Sequence, residues 1–331
     1  MRRREFIMLA GAAALSSEAA SAQNPGGVRR IGVLLSLAET DPEGKAQFSG
    51  FTQGLAELGW VEGRNLKMEV RWGRGDIDRI RTFAKDLVAL QPDVILAHGT
   101  PVTAALHRET RTIPIVFVTV SDPVGDGFVA GLPHPGGNIT GFLTSESTIT
   151  AKMFELLTEI APGLKRVAIL FNPDTAPGGG TYYFRDFEPA VRSTNVEPIA
   201  ARAQSDAEIE AIVTSLGGEP GGGLIIMPDY FMLNHIRSIT SLAARNNVPA
   251  IYPWRSVVAD DGALFSYGPD LRDIVRRGAP YVDRILRGEK PADLPVQVPV
   301  KFEMAVNAKT AKALGLAVPQ SIRLRADEVI E

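Results

Sequence analysis

The sequence contains no cysteine. That excludes disulfides, thiol nucleophiles, thiolate metal sites and lipidation of a cysteine. Histidine is almost as scarce. His98, His107, His134 and His235 are the only four, and none has a metal-ligand spacing such as HExxH. Only His98, at the end of an apolar run, is placed for chemistry, and a structural or cleft-edge role suits it better. No G-x-S-x-G elbow occurs, so a hydrolase triad has no anchor. Beyond residues 1–22 no run approaches 18 apolar residues, so no membrane-spanning helix is expected there. Charge of one sign is never concentrated: the formal net charge is −3 without blocks, and nothing points to nucleic acid. No metal and no cofactor is expected.

What is present is a chain of 331 residues, long enough for two domains, with 45% hydrophobic and 22% charged residues. Arg2-Arg3-Arg4 precedes an apolar stretch that ends near Leu15, and Ala20-Ser21-Ala22 offers small residues for a signal-peptidase cut before Gln23. Arg3-Arg4-x-Phe6-Ile7 resembles a bacterial twin-arginine signal. Residues 1–22 are therefore expected to be an export signal, and the mature protein to be periplasmic.

The most informative stretch runs from Pro92 to Pro123. Val94–Ala97 and Ile113–Val120 are short, Val- and Ile-rich runs that read as buried parallel strands. Between them, Thr100 and Pro101 open a helix-length segment. Each strand ends in small polar residues, as at the ligand-binding edge of an open α/β sheet. The pattern recurs. Pro92–Leu96 is echoed at Gly222–Ile226, Ile113–Val116 at Val248–Ile251 and Arg29–Leu34 at Lys165–Leu170, with shifts of 130, 135 and 136 residues. A common order and a nearly common spacing predict two similar α/β lobes.

Taken in order, Ile31–Leu37, Asn65–Trp72, the two runs above and Asn138–Phe142 are expected strands, separated by amphipathic helices at about 43–58 and 77–90. The second lobe repeats the plan, with helices expected over Thr148–Ile160, Tyr182–Ser193, Asp206–Leu216 and Leu233–Asn246. One strand (Ala263–Tyr267) and one helix (Leu271–Arg287) are left over. They predict that the chain returns to the first lobe, with crossings at about 143–147, 262–268 and 295–301. The expected division is residues 28–143 with 268–296 as lobe one, and 144–267 with 297–331 as lobe two. Such a three-segment hinge closes over a ligand.

Gly54-Leu-Ala-Glu-Leu-Gly-Trp-Val-Glu-Gly-Arg-Asn65, Phe171-Asn-Pro-Asp, Met227-Pro-Asp and Asn307-Ala-Lys-Thr-Ala-Lys-Ala-Leu-Gly-Leu-x-Val-Pro319 together resemble the substrate-binding proteins of ABC transporters. The similar subfamily includes tryptophan- and phenylalanine-binding members, and the resemblance spans essentially the whole chain after the signal. It implies a type I periplasmic binding fold of two Rossmann-like lobes, and a monomer that delivers a small ligand to an ABC permease in the inner membrane without chemical reaction. The ligand expected is a small amino acid-like or aromatic carboxylate.

Strand ends nominate the binding residues. From lobe one these are Ser36, Gly99, Thr100, Ser121 and Asp122; from lobe two, Asn172, Asp229, Tyr230, Trp254 and Tyr267. Gly99 and Thr100 suit a carboxylate, where N–H, hydroxyl and helix dipole converge. Asp229 suits an ammonium group, and Trp254 and Tyr267 an aromatic ring or a cation. Thr100, Ser121, Asp122 and Asp229 are equally good helix caps. Two other classes remain open: a sensor that presents its solute to a receptor kinase, and an α/β enzyme using the same cleft. Gly178-Gly179-Gly180 lies between a strand and a helix, but no Gly-Lys-Ser/Thr follows, so it reads as a turn rather than a phosphate loop.

Overall fold

The computed structural model describes residues 27–331. The export-signal expectation concerns residues 1–22 and lies outside them. Five strands, β1 (Arg29–Leu35), β2 (Leu66–Trp72), β3 (Val94–His98), β4 (Ile115–Val120) and β5 (Ile139–Leu143), form a parallel sheet in the order β2-β1-β3-β4-β5. β3, β4 and β5 are buried along their whole length, because helices cover both faces of a parallel sheet. β2 is the edge, and only Leu66 in it is fully buried.

Seven strands make the second sheet: β6 (Arg166–Phe171), β7 (Glu197–Arg202), β8 (Gly222–Ile226), β9 (Ala250–Tyr252), β10 (Phe265–Pro269), β11 (Phe302–Asn307) and β12 (Glu328–Ile330). Their order is β12-β11-β10-β9-β8-β6-β7, and only the β10–β11 pair is antiparallel. Read from its far edge, β7-β6-β8-β9-β10 has the same connectivity as β2-β1-β3-β4-β5. The three sequence echoes fall on equivalent strands: β1 with β6, β3 with β8 and β4 with β9. In both lobes the chain reverses direction across the sheet beside the first strand, the position where doubly wound sheets open a crevice at their carboxyl ends.

The returning helix joins the lobes. After Pro269 the chain leaves the second sheet, and the helix Leu271–Leu286 packs Ile274, Val275, Ala279 and Val282 into the same apolar cluster as Ile31, Leu96 and Val118. Its partner is the helix Pro42–Glu57, capped by Asp41, whose carboxylate accepts the Glu43 N–H. The two backbones approach closely at Gly54, where a Cβ would lie 2.9 Å from the Ala279 Cβ. Trp60 Nε1 adds a 2.8 Å hydrogen bond to Asp283 Oδ1. The chain then recrosses: Gln297 donates to the Gly141 carbonyl at 2.9 Å, and its own carbonyl accepts from Leu143 at 2.9 Å. The middle crossing sits at Asp270, beyond the expected 262–268, because β10 runs on to Pro269. Asp270 caps the returning helix and is paired with Lys301 of the next crossing at 2.5 Å.

Other boundaries depart from expectation for identifiable reasons. The helix expected over Tyr182–Ser193 is two helices, Thr181–Phe184 and Phe187–Arg192. Pro189 has no N–H to donate, and its ring would collide with the Arg185 carbonyl in a continuous helix. The helix expected over Leu233–Asn246 breaks at His235 into Tyr230–Asn234 and Ile236–Arg245, with His235 Nδ1 hydrogen-bonded to the Phe231 carbonyl at 2.8 Å. Two short helices, Arg255–Asp261 and Gln320–Arg325, and β12 escaped the sequence reading. Each is too short to show a period.

Candidate functional site

Residues that follow strands of both sheets line one cleft, which encloses about 180 Å³. Thr100, Ser121 and Thr144 come from the ends of β3, β4 and β5; Asp229, Tyr230 and Trp254 come from the ends of β8 and β9. Five of the sequence-predicted residues therefore lie on the cleft wall: Thr100, Ser121, Asp229, Tyr230 and Trp254. Ser36 and Gly99 stand behind it, against Tyr230. Ser36 Oγ lies 2.8 Å from the Tyr230 phenol oxygen. Gly99, at φ 92°, leaves room for that oxygen where a Cβ would stand 1.9 Å away.

The other three nominees are not among the lining residues. Asp122 turns its carboxylate back to the Gly125 N–H at 2.9 Å. Asn172 is buried; its N–H donates to Asp229 Oδ2 at 3.0 Å and its side-chain oxygen accepts from Asp174 N–H. Tyr267 stacks on Phe302, with centroids 5.6 Å apart and rings 9° from parallel, because β10 and β11 pair.

A buried chain of hydrogen bonds runs from Tyr230 into the first lobe. Gln47 donates its amide to Glu43 Oε1 at 3.3 Å, which turns its oxygen towards His98 Nε2, 2.9 Å away. His98 then carries its proton on Nε2, and Nδ1 accepts from Ser36 Oγ at 2.9 Å. The Ser36 oxygen is left to accept from the Tyr230 phenol. Burial lowers the His98 pKa to about 4, so the ring is neutral and keeps this tautomer. His98 thus has a structural role: it holds Ser36 for the phenol of the opposite lobe.

Asp229 is 4% exposed. It accepts from Met232 N–H at 2.8 Å, Thr175 Oγ1 at 3.2 Å and Asn172 N–H at 3.0 Å. Burial raises its pKa to about 6, against the lowering effect of these bonds. It is still ionised at neutral pH. Among the described residues no lysine or arginine lines the cleft. Glu43, on the same wall, is held by Arg272 at 2.6 Å, and Asp41 is spent on a helix N-terminus. An anionic group in the cleft would therefore meet hydroxyls and backbone N–H groups, and a cationic one Asp229.

The sequence reading missed Thr119, Tyr183, Thr144, Thr175 and the apolar walls Leu37, Leu233 and Leu271. Thr144 and Thr175 carried a signal, since each follows a strand end by one to four residues. Tyr183 did not. It is presented by the Gly178–Gly180 turn, whose three residues have φ of 58°, 63° and 95°. Gly180 there abuts the Phe171 ring. The glycine loop shapes the cleft wall and the neighbouring hinge contact, in which Tyr182 donates to the Ser145 carbonyl at 2.9 Å.

The profile of the ABC transporter substrate binding protein family matches residues 31–330. The chain belongs to that family. Among its relatives, the tyrosine-binding protein of Clostridioides difficile (strain R20291) is 26% identical over 267 residues, covering 81% of this chain and 76% of that one. A solved structure, the ABC domain in complex with L-Trp from Streptococcus pneumonia, superposes with a TM-score of 0.82 at 25% identity, covering 91% of this chain and 99% of that one. A conserved domain protein from Vibrio cholerae gives a TM-score of 0.81 at 27% identity, over 91% and 99% of the two chains. The two-lobed α/β architecture is thus the type I periplasmic binding fold expected from the sequence.

In this ABC transporter substrate-binding protein, the cleft between the lobes is the candidate ligand site. Its chemistry here is that of hydroxyls beside the engaged carboxylates of Asp41 and Glu43 on one side, and the buried Asp229 carboxylate on the other. No helix among the described residues is long and apolar enough to cross a membrane.

Proposed function

We propose that this substrate-binding protein captures an L-amino acid with an aromatic or large apolar side chain, and delivers it from the periplasm to an inner-membrane ABC permease. The observation that carries the reading is the complementary wall chemistry of the cleft. Asp229 offers an ionised carboxylate to an α-ammonium group, a charge-assisted bond that recovers part of the cost of burying the charge. Thr100 at the start of the ten-residue helix Thr100–Glu109, with the Ser121 and Thr144 hydroxyls, offers donors and a favourable dipole to an α-carboxylate. Leu37, Leu233 and Trp254 supply apolar surface for the side chain. The tyrosine-binding relative and the L-Trp-bound structure support the same ligand class.

The ligand's two ends would touch different lobes, so binding favours the closed arrangement over the open one. The lobes, residues 28–143 with 270–296 and residues 144–269 with 297–331, would close about their three crossings. The Tyr230–Ser36 bond then forms part of the closed interface, and the permease reads that closed surface. The reading calls for binding without turnover by a monomer in the periplasm, exported by its twin-arginine signal.

The test is a calorimetric titration of the purified protein with the twenty amino acids, beside sugars and nucleotides. Saturable binding of tyrosine, tryptophan or phenylalanine, with the ligand recovered unchanged, is the expected result. Binding confined to sugars or nucleotides, or conversion of the bound compound, would sink the proposal.

A further inference from the structure

Two hydroxyl groups in the cleft have no hydrogen-bond partner among the described residues although both are buried: Thr119 Oγ1 in the first lobe and Tyr183 Oη in the second. Buried polar atoms are almost always paired, and leaving one unpaired costs free energy. Tyr183 is 1% exposed and its aromatic body is packed against Phe171 and Tyr182. The Tyr230 phenol, whose pKa burial raises, lies close enough to the Thr119 hydroxyl for that group to lower it in part, yet the pair does not reach hydrogen-bond geometry, which leaves Thr119 Oγ1 unsatisfied.

Thr119 carries a second anomaly. Its φ is 59°, in the left-handed region that a β-branched side chain strongly disfavours. It lies within β4, where the pairing with β5 skips a residue: Val118 faces Phe142 and Val120 faces Leu143, leaving Thr119 as the extra residue of a β-bulge. A bulge breaks the in–out alternation and re-aims one side chain. Here it places a hydroxyl on the cleft wall within a strand whose other residues are buried and apolar except that one. Strain and an unpaired donor at one residue have no benefit to the lobe by itself. A second unsatisfied hydroxyl, from the other lobe, lines the same cleft.

We infer that the Thr119 and Tyr183 hydroxyls are ligand-binding groups, one from each lobe, whose missing partners are polar atoms of the bound solute. This rests on the amino-acid reading of the cleft and adds two residues that it does not require. The lobe pays the strain and desolvation when empty, and the ligand relieves the desolvation when bound. The two roles of these hydroxyls therefore have opposite signs: they weaken the empty protein and strengthen the complex.

The experiment measures L-tyrosine and L-tryptophan binding by calorimetry, and ligand-free melting, for the wild type, Thr119→Val and Tyr183→Phe. Valine keeps the β-branch, so only the hydroxyl is lost. Each variant should bind about tenfold more weakly while its ligand-free melting temperature stays level or rises. Affinities within twofold of wild type overturn the inference, as does a parallel fall in affinity and ligand-free melting temperature, which marks a structural role. A wild type that binds neither amino acid sinks the ligand-class reading and this inference with it; a wild type that binds, with variants that match it, sinks this inference alone. A crystal structure with L-tyrosine decides independently of variant folding. Ligand polar atoms within about 3.2 Å of both hydroxyls are expected, and hydroxyls left unpaired beside a bound ligand would refute it.

Discussion

Replacing Gly99 by alanine would put a methyl group 1.9 Å from the Tyr230 phenol oxygen and 2.9 Å from its Cζ. Both are shorter than the 3.0 Å that real Cβ contacts keep. The two residues belong to opposite lobes, so the clash exists only while Tyr230 sits against Ser36. Two costs must be separated. The first is local: φ 92° at Gly99 penalises an L side chain by about 1 kcal/mol whether the lobes are open or closed. It should lower ligand-free melting by only about 2–4 °C. The second falls on the closed state alone. Overpacking of this kind costs about 1–3 kcal/mol, so affinity for the ligand should fall by roughly 5- to 150-fold. Calorimetric titration with L-tyrosine or L-tryptophan reads the second cost and melting of the ligand-free protein reads the first. Small-angle scattering should show that ligand no longer contracts Gly99→Ala as it does the wild type. Adding Tyr230→Phe removes the nearest clashing atom and leaves the next, so the double variant should bind better than the product of the single effects implies. Wild-type affinity and contraction in Gly99→Ala would refute the argument that Tyr230 docking on Gly99 and Ser36 belongs to the closed state.

Other outcomes follow from the same geometry. The folded-state pKa of Asp229, about 6, lies above its ordinary 3.8. The native protein therefore holds this proton more tightly than the unfolded chain, and ligand-free stability should be highest below pH 4 from this group and fall by about 3 kcal/mol as pH rises from 4 to 6; urea titrations of wild type and Asp229→Asn across that range should differ by that slope. Ligand binding should run the opposite way: an ammonium group needs the carboxylate ionised, so affinity should drop as pH falls below 6, and Asp229→Asn should abolish the dependence. Gly54→Ala forces a methyl onto Ala279 and should destabilise the protein by about 1–3 kcal/mol in denaturant titrations, with affinity unchanged because neither residue lines the cleft. Asp270→Ala removes both the cap of the returning helix and the partner of Lys301, which is 60% exposed. Most of the expected loss of about 1–2 kcal/mol in the same assay comes from the cap, since so exposed an ion pair contributes little.

One of the stretches that carry the family resemblance describes the joint between segments rather than the ligand. In Gly54–Asn65, Gly54 admits the returning helix, Gly59 and Gly63 take φ of 92° and 79°, Asn65 ties the turn to Val61 and Gly59, and Trp60 reaches Asp283. Close backbone approach and positive φ can be met by few residue types, so such sites are legible in a single sequence. The same holds for the buried strands, whose apolar runs and spacing exposed the duplicated lobes, and for Thr100, Ser121, Asp229, Tyr230 and Trp254, because strand ends in a doubly wound sheet face the cleft by topology. Asp122, Asn172 and Tyr267 follow the same rule of position, yet the first is drawn back to a backbone N–H, the second holds Asp229 and the third stacks on Phe302.

By itself the sequence determined what depends on local period and backbone freedom: strand and helix order, the two lobes, the helix that returns and the strand ends that line the cleft. Only the tertiary structure decided which groups lack partners. Whether Thr119 is one more apolar-strand residue or a strained hydroxyl in the cleft depends on a one-residue slip against β5. The burial that raises Asp229 and neutralises His98 depends on the opposing sheet and on packing across the fold. Those are properties of distances between segments far apart in the chain, and no pattern within either segment encodes them.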